Sequence, residues 1–363
     1  MRKRIIRMVA TFCAAIQILA LNVCAISAEK AILMDAQTGR VIYQKNSDSK
    51  ALIASTTKIM TALIICEQCN VLDRVRIPRE AVGIEGSSMY LKEGEILTVQ
   101  ELLYGLMLHS GNDAAVALAI YCAGTVEGFA ELMNDKAHLL GMDQSHFVNP
   151  NGLDSPDHYS TARDMAVLAC YAMENPIFRK TVSTKQITIG ERILRNHNKL
   201  LWQVEGADGV KTGYTKAAGR ILVSSAERHG RRLVAVTIND PADWRDHAEL
   251  MELGFKRYQI TRIIESGSLV ASIEIIGGKD SSVDLIAASD FYYPLAEEEI
   301  PNFVVSAPQF VYAPVSGNQE ACYGYVCLSG NVIGKVQLVY AEDIPAQSSE
   351  RNSIMKRLQR ALT

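Results

Sequence analysis

Ser55 and Lys58 form the first group of residues whose types and spacing could support nucleophilic chemistry. They stand at the start of an apolar run that ends at Ile65. Serine favours helix starts because its oxygen can cap free backbone N–H groups, and a spacing of three places both side chains on one helix face. A buried lysine can lose its proton and then accept that of a hydroxyl. The pair therefore predicts a serine nucleophile with a lysine base.

The same Ser-x-x-Lys spacing occurs at two other places, and only the surroundings select Ser55. Ser47 and Lys50 lie in a polar turn, while Ser353 and Lys356 lie in a charged tail. Neither pair precedes an apolar helix that could bury the lysine. We therefore expect the nucleophile at Ser55.

Two further groups carry polar side chains suited to binding a peptide. Ser110 and Asn112 flank a glycine in a loop between predicted helices, where the hydroxyl could relay a proton and the amide could hold a substrate amide. Lys211 and Thr212 lie on a predicted strand that could present them to a carboxylate. The following Gly213 would let a substrate backbone approach as an added strand.

The remaining sequence predicts the elements that position these groups. A hairpin over 31–45 precedes the Ser55 helix, and helical periods continue to residue 173. Beyond Pro176 the pattern changes to strands, followed by a helix over 247–258. We predict a mixed α/β fold in which a helical cluster packs on an antiparallel sheet. Short alternating β segments over 260–345 predict a separate all-β sandwich.

The two ends of the chain differ from the rest. Residues 1–28 begin with basic residues, continue as an apolar run and end in small residues at Ala25 or Ala28. This order is typical of a secretory signal peptide, although a retained membrane anchor is an alternative. The predicted domains are therefore a signal peptide over 1–28, a catalytic domain over 29–259, the β domain over 260–345 and a polar, then basic, tail over 346–363.

Charge and composition exclude several classes of function. The chain has a net charge of −3, and its first 28 residues carry four basic side chains and no acidic ones. Without them, 33 basic residues stand against 40 acidic ones, a net charge of −7. This acidic balance argues against a nucleic-acid partner. The histidines are scattered without metal-ligand spacing, so we expect no metal or other cofactor. Cys66 and Cys69 fall at the far end of the Ser55 helix, where they could be buried thiols or, after export, a disulfide.

Together, the three groups resemble the motifs of the serine β-lactamases and penicillin-binding proteins. The surrounding segments 43–46, 110–115, 149–153 and 209–215 are similar to the D-alanyl-D-alanine carboxypeptidases of the low-molecular-weight penicillin-binding proteins, peptidase family S11. The similarity covers about residues 30–258, and the β domain fits the same family. Residues 243–247 resemble the sporulation-associated branch.

The resemblance implies a role for each motif residue. Ser55 would attack the carbonyl between the terminal D-alanines of a peptidoglycan stem peptide, with Lys58 as general base. Ser110 would relay a proton to the leaving amine, and Asn112 would hold the peptide amide. The same serine would be acylated by β-lactam antibiotics.

The third motif would complete the substrate site. By the same resemblance, Lys211 and Thr212 would bind the terminal carboxylate, and the backbone N–H groups of Ser55 and Tyr214 would form the oxyanion hole. The family often adds an arginine beyond this motif, and Arg245 is the nearest candidate.

The resemblance also implies an extracytoplasmic location and gives the tail a role. Ile354, Leu358 and Leu362 recur at helical spacing, with basic residues on the other face. Relatives with this architecture commonly end in an amphipathic helix on the outer surface of the cytoplasmic membrane. A solvated basic tail is the alternative.

A class A β-lactamase and a non-catalytic scaffold are the two alternatives to a carboxypeptidase. A class A β-lactamase would need Glu-x-x-Leu-Asn between Asn112 and Lys211, and this motif is absent. A non-catalytic scaffold that binds the cell wall is disfavoured because no motif residue is missing.

Overall fold

The computed structural model describes residues 26–347, which divide into two compact units between Phe255 and Lys256. The predicted signal peptide lies outside the described residues except for its last three positions. The predicted tail lies outside them from residue 348 onward.

The first unit is built on an antiparallel sheet. Its strands, in chain order, are β1 (Lys30–Asp35), β2 (Val41–Lys45), β3 (Arg74–Arg76), β4 (Ile96–Thr98), β5 (Gln186–Ile189), β6 (Arg192–Arg195), β7 (Ala207–Thr215), β8 (Gly219–Arg228) and β9 (Arg231–Ile238). Five of them form one sheet in the order β2-β1-β9-β8-β7, while β3 pairs with β4 and β5 with β6. Every residue of the central β9 is buried, and β7 lies at one edge of the sheet.

The helices of this unit surround one central helix. In chain order they are α1 (Lys58–Gln68), α2 (Val99–Leu108), α3 (Asn112–Ala123), α4 (Val126–Leu139), α5 (Ala162–Glu174), α6 (Pro176–Ser183), α7 (Leu200–Gln203) and α8 (Asp243–Arg257). Helix α1 is buried from Lys58 to Cys66 and packs against α2, α3, α4, α5 and α6. A helix that is apolar on all sides is stable only when it is enclosed in this way. The predicted mixed α/β fold is confirmed.

Side-chain caps fix the start of several of these helices. Thr98 and Glu101 form a capping box at α2, and Thr125 and Thr161 cap α4 and α5. Helix α1 differs, because no side chain caps its start. The expectation that Ser55 opens the helix as a cap is wrong: Ser55 lies in a 3₁₀ turn that precedes α1.

The second unit contains only β-strands. They are β10 (Tyr258–Ile264), β11 (Leu269–Ile276), β12 (Ser282–Ala287), β13 (Phe291–Ala296), β14 (Asn302–Ser306), β15 (Phe310–Tyr312), β16 (Glu320–Leu328) and β17 (Asn331–Tyr340). Six strands form a sheet in the order β14-β16-β17-β12-β11-β15, and β10 pairs with β13. Residues of both sheets pack on one apolar core around Leu285, Val326 and Leu338, which confirms the predicted all-β unit.

Among the helices within residues 26–347, no single one is long and apolar enough to cross a membrane. Helices α3 and α4 reach that length and composition only as a pair, which is bent by 84°.

Candidate active site

All three motifs meet at one cavity of about 380 Å³ in the first unit. Its lining includes Ser55 from the turn before α1 and Ser110 from the loop between α2 and α3. Strand β7 contributes Thr212, Gly213 and Tyr214. The structure therefore brings together segments that are more than 150 residues apart in the chain.

Lys58 lies directly behind the Ser55 hydroxyl. Its side chain is completely buried, and its Nζ lies 3.1 Å from Ser55 Oγ. The same Nζ is 2.6 Å from Asn112 Oδ1 and 2.5 Å from the carbonyl oxygen of Asn151. All three contacts of the amine are therefore with neutral groups.

The surroundings of Lys58 favour its uncharged form. Burial and the nearby charge of Lys211 hold the pKa of Lys58 well below its ordinary value of 10.5, and Asp113 opposes this only in part. A neutral amine has two N–H groups and one lone pair. Because the carbonyl oxygens of Asn112 and Asn151 can only accept hydrogen bonds, they take the two N–H groups. The lone pair is then left for the proton of Ser55.

The second motif supports this arrangement. Ser110 adopts a left-handed backbone conformation (φ 64°) and is almost completely buried. The amide of Asn112 is satisfied within the protein, since its oxygen accepts from Lys58 and its nitrogen donates to the carbonyl of Glu85 at 2.5 Å. Asn112 thus positions the Lys58 amine. The predicted contact of Asn112 with a substrate amide would be a second role.

Asp113 is an important residue that the sequence interpretation missed. Its buried carboxylate accepts hydrogen bonds from Ser88 Oγ at 2.7 Å and from the backbone N–H groups of Met89 and Leu91. These bonds hold the segment that brings Ser87 to the cavity. The sequence does show that Asp113 is an acidic residue in the first turn of a helix. It does not show which groups the carboxylate binds, because these groups are remote in sequence.

Gly213 leaves room for the close contact between β7 and the nucleophile turn. A Cβ atom at this position would lie 3.2 Å from the backbone nitrogen of Thr56 and 3.3 Å from that of Ser55. The sequence interpretation assigned this glycine to the approach of a substrate strand. In the structure it is the nucleophile turn that lies against Gly213.

Lys211, which is predicted to bind the substrate carboxylate, is almost completely buried. Only 1% of its surface is exposed, and its Nζ donates to the backbone oxygen of Thr212 at 2.9 Å. Burial lowers the pKa of Lys211 to about 7. A carboxylate that enters the cavity would restore the preference for the charged form.

The arginine in the cavity is Arg220 and not Arg245. The Arg220 guanidinium pairs with both oxygens of Asp243 at 2.8 to 3.1 Å and lies 5.8 Å from the Trp244 ring. All three residues line the cavity. By contrast, Arg245 is more than half exposed and bonds to Asp246 and Glu249.

His197 is a further lining residue that sequence reasoning did not identify. Burial and the nearby Lys211 lower the pKa of His197 to about 4, so its ring is uncharged at neutral pH. The ring packs on that of His109 at 5.4 Å between centroids, which places His109 beside the second motif as a packing residue.

The sequence model of the D-alanyl-D-alanine carboxypeptidases, Peptidase S11, matches residues 17–242 of the chain. The chain belongs to this family. The model of the penicillin-binding protein 5 C-terminal domain matches residues 258–346, within the all-β unit.

Individual members of the S11 family give the same result. The chain is 32% identical to the D-alanyl-D-alanine carboxypeptidase DacF of Bacillus subtilis, over 87% of this chain and 86% of that protein. It is 34% identical to DacD of Escherichia coli over 80% and 79%, respectively. A crystal structure of penicillin-binding protein 5 from Haemophilus influenzae superposes with a TM-score of 0.77 at 28% identity, covering 90% of this chain and all of that one.

The enzyme class follows from family membership. This S11 member is a serine-type D-alanyl-D-alanine carboxypeptidase that acts on peptidoglycan, and covalent inhibition by β-lactams is general in the family. The predicted family and activity are confirmed.

Proposed function

We propose that Ser55 is the nucleophile of this carboxypeptidase and that Lys58 is its general base. The observation that carries the proposal is the buried Lys58 amine, which lies 3.1 Å from Ser55 Oγ and whose other two contacts are with the carbonyl oxygens of Asn112 and Asn151. As Oγ attacks the carbonyl between the terminal D-alanines, its proton passes to the Lys58 lone pair.

The acylation step needs two further groups. The backbone N–H groups of Ser55 and Tyr214 bind the oxyanion, and each such donor typically supplies about 3–4 kcal/mol of transition-state stabilisation. Ser110, which lines the same cavity, relays a proton to the leaving D-alanine amine. In the second step Lys58 removes a proton from water, which attacks the acyl-enzyme and releases the shortened stem peptide.

The terminal carboxylate of the substrate is recognised by Lys211, Thr212 and Arg220. Arg220 replaces Arg245 in this proposal because its guanidinium lies in the cavity and is held there by Asp243. Arg220 has donors beyond those that Asp243 occupies, since a guanidinium carries five N–H groups.

We expect Arg220→Gln to lower kcat/KM for D-alanine release about tenfold, mainly through a higher KM, because a charge-assisted hydrogen bond to the carboxylate is lost. Steady-state kinetics on a stem pentapeptide measure this effect. Arg245→Gln is the matched control and should change kcat/KM less than twofold. Equal losses for both variants, or a larger loss for Arg245→Gln, would contradict the assignment.

The pH dependence of acylation tests the role of Lys211. Its folded pKa of about 7 means that the charge is present below pH 7 and is lost above it. We expect the acylation rate with a carboxylate-bearing penicillin to fall as pH rises through this range. Lys211→Arg should remove the alkaline fall, because arginine stays charged. If the acylation rate of Lys211→Arg still fell as pH rose, the titration of another group would be responsible.

We further propose that the protein is exported and that processing follows Ala25 and not Ala28. Ile26 and Ala28 are buried in the first unit, and Ser27 Oγ donates to Asp240 at 2.7 Å or Asp246 at 2.8 Å. Cleavage after Ala28 would remove these contacts. A role in sporulation stays a prediction that rests on the resemblance of residues 243–247.

The tail is proposed to attach the exported enzyme to the outer surface of the cytoplasmic membrane. Its basic residues could contribute about 1 kcal/mol each near anionic lipid. We expect the processed protein to begin at Ile26 and to sediment with anionic vesicles at low salt but not at high salt. A form that ends at Ser349 should stay in solution. Equal sedimentation of both forms would exclude the tail as the membrane attachment.

The first residue of the processed protein tests the processing site. A processed protein that begins at Glu29 would refute cleavage after Ala25.

A further inference from the structure

Two cysteines meet at the ends of α1 and α3 that are remote from the cavity. Cys69 directly follows the last residue of α1, and Cys122 is the penultimate residue of α3. Both are half-buried, and the Cys122 thiol lies 3.6 Å from the side chain of Gln68, the residue directly before Cys69. The two helices begin at Lys58 and Asn112, the residues whose side chains meet at 2.6 Å in the active site.

The surrounding contacts hold this pair in place. The Cys122 thiol lies 3.6 Å from Gln68 Oε1 at the end of α1. The neighbouring Tyr121 hydroxyl donates to Asp73 Oδ2 at 2.8 Å, which links the end of α3 to the segment that follows α1. One bond joins the two helix ends and the other joins the end of α3 to the segment after α1, so two contacts hold this region together.

A metal site is not the explanation for these thiols. Within residues 26–347, no group of three or more His, Cys, Asp or Glu side chains could hold a metal ion. Cys66 lies one turn before Cys69 but is buried in the core. What remains is a pair of neighbouring cysteines, one just beyond the end of α1 and one in the last turn of α3.

We infer that Cys69 and Cys122 form a disulfide that joins the C-terminal ends of the two helices bearing Lys58 and Asn112. This bond differs from the Cys66–Cys69 pairing that the sequence left open. It is a modification site separate from the catalytic groups, and it does not depend on their assignment. An oxidising compartment outside the cytoplasm would favour it.

The reaction requires an external oxidant, which we take to be a disulfide such as that of an oxidoreductase or of oxidised glutathione. The interaction with Cys69 lowers the pKa of Cys122, which favours the Cys122 thiolate as the attacking group. It displaces one thiol of the oxidant and forms a mixed disulfide. Cys69 then loses its proton and attacks the sulfur of Cys122, which releases the second thiol. The two protein thiols have lost two electrons and two protons, and the oxidant has gained them.

The other thiols of the first unit are poorer competitors. Burial raises the pKa of Cys66 and of Cys170 to about 12. Neither forms the thiolate that the first step requires at neutral pH. The reaction is therefore selective for Cys122, because this thiol is less buried than those of Cys66 and Cys170.

The test is oxidation of the purified protein with oxidised glutathione, followed by alkylation of free thiols under denaturing conditions and peptide mass mapping. We expect a Cys69–Cys122 linked peptide and a mass loss of about 2 Da, the two hydrogens of the balanced oxidation. Closing a loop of about 50 residues should also raise Tm by about 5–10 °C. Dithiothreitol should reverse both changes.

Matched variants make the result specific. Cys122→Ser should lose the linked peptide and the Tm response, whereas Cys170→Ser should keep both, and both variants should still release D-alanine. The inference would be overturned by a Cys66–Cys69 linked peptide, by a glutathione adduct that persists on Cys122, or by full alkylation of both cysteines after oxidation. D-Alanine release, measured in parallel, reports separately on the proposed active site.

Discussion

Ser55→Ala is expected to abolish covalent labelling by a fluorescent penicillin and to reduce D-alanine release by at least about 10³-fold. Ser55 Oγ is the hydroxyl that lies 3.1 Å from the buried Lys58 amine and also faces the cavity. Without it, the enzyme has no group that can form the acyl intermediate. Gel fluorescence and an assay for free D-alanine measure the two effects.

The matched control for this variant is Ser87→Ala. Ser87 lines the same cavity but has no part in the proposed chemistry, so labelling should persist at a rate within about threefold of the original, as for an uninvolved surface contact. The Tm of Ser55→Ala should confirm that it folds. Continued labelling of Ser55→Ala would transfer the nucleophile to another residue, with Ser110 the first to test.

Lys58→Arg is expected to slow acylation by about 10³-fold or more, because arginine keeps a positive charge but does not deprotonate in proteins. The native lysine is completely buried and its pKa is held well below the ordinary value, so the native site favours the uncharged amine that can act as a base. Stopped-flow measurement of penicillin acylation quantifies the loss.

Burial of a permanent charge could also destabilise Lys58→Arg, so a second variant separates chemistry from folding. Lys58→Ala has no charge to bury, and we expect it to fold and to lose acylation to a similar extent. Added small primary amines should restore part of its rate, since they can occupy the vacated space and act as the base. Near-normal acylation by either variant would show that Lys58 is not the base.

The three motifs were predictable from the sequence because each is local. Ser55 and Lys58 are one helical turn apart, Ser110 and Asn112 flank one glycine, and Lys211 begins a short segment of a strand. The α1 helix was also predictable, because its apolar residues are continuous and demand burial on all sides. Local patterns of this kind determine the elements and the residue types of the site.

The remaining features depend on contacts between distant segments. Arg220 reaches the cavity because β8 pairs with β7 and because Asp243, at the start of α8, binds its guanidinium. Asp113 holds a segment more than 20 residues away. No period or motif in the sequence encodes these contacts. Arg245 was a reasonable candidate by its position in the chain, but its neighbours Asp246 and Glu249 bind it at the surface.

Gly213 has a structural role in addition to the predicted substrate contact, which stays a prediction. The sequence indicated that a close backbone approach occurs there, as glycine often does. The approaching backbone is that of Ser55 and Thr56, within the protein itself. Only the packing of the sheet edge against the nucleophile turn distinguishes this contact from one with a substrate.

The most direct test of the proposed enzyme is acid quenching during turnover of a stem pentapeptide that ends in D-Ala-D-Ala. Peptide mass mapping of the quenched enzyme and product analysis are then carried out on the same sample. We predict one free D-alanine for each tetrapeptide formed, a tetrapeptidyl adduct on the peptide that contains Ser55, and no release from a pentapeptide that ends in L-alanine. An adduct on another residue, or D-alanine release that persists in Ser55→Ala, would contradict the account.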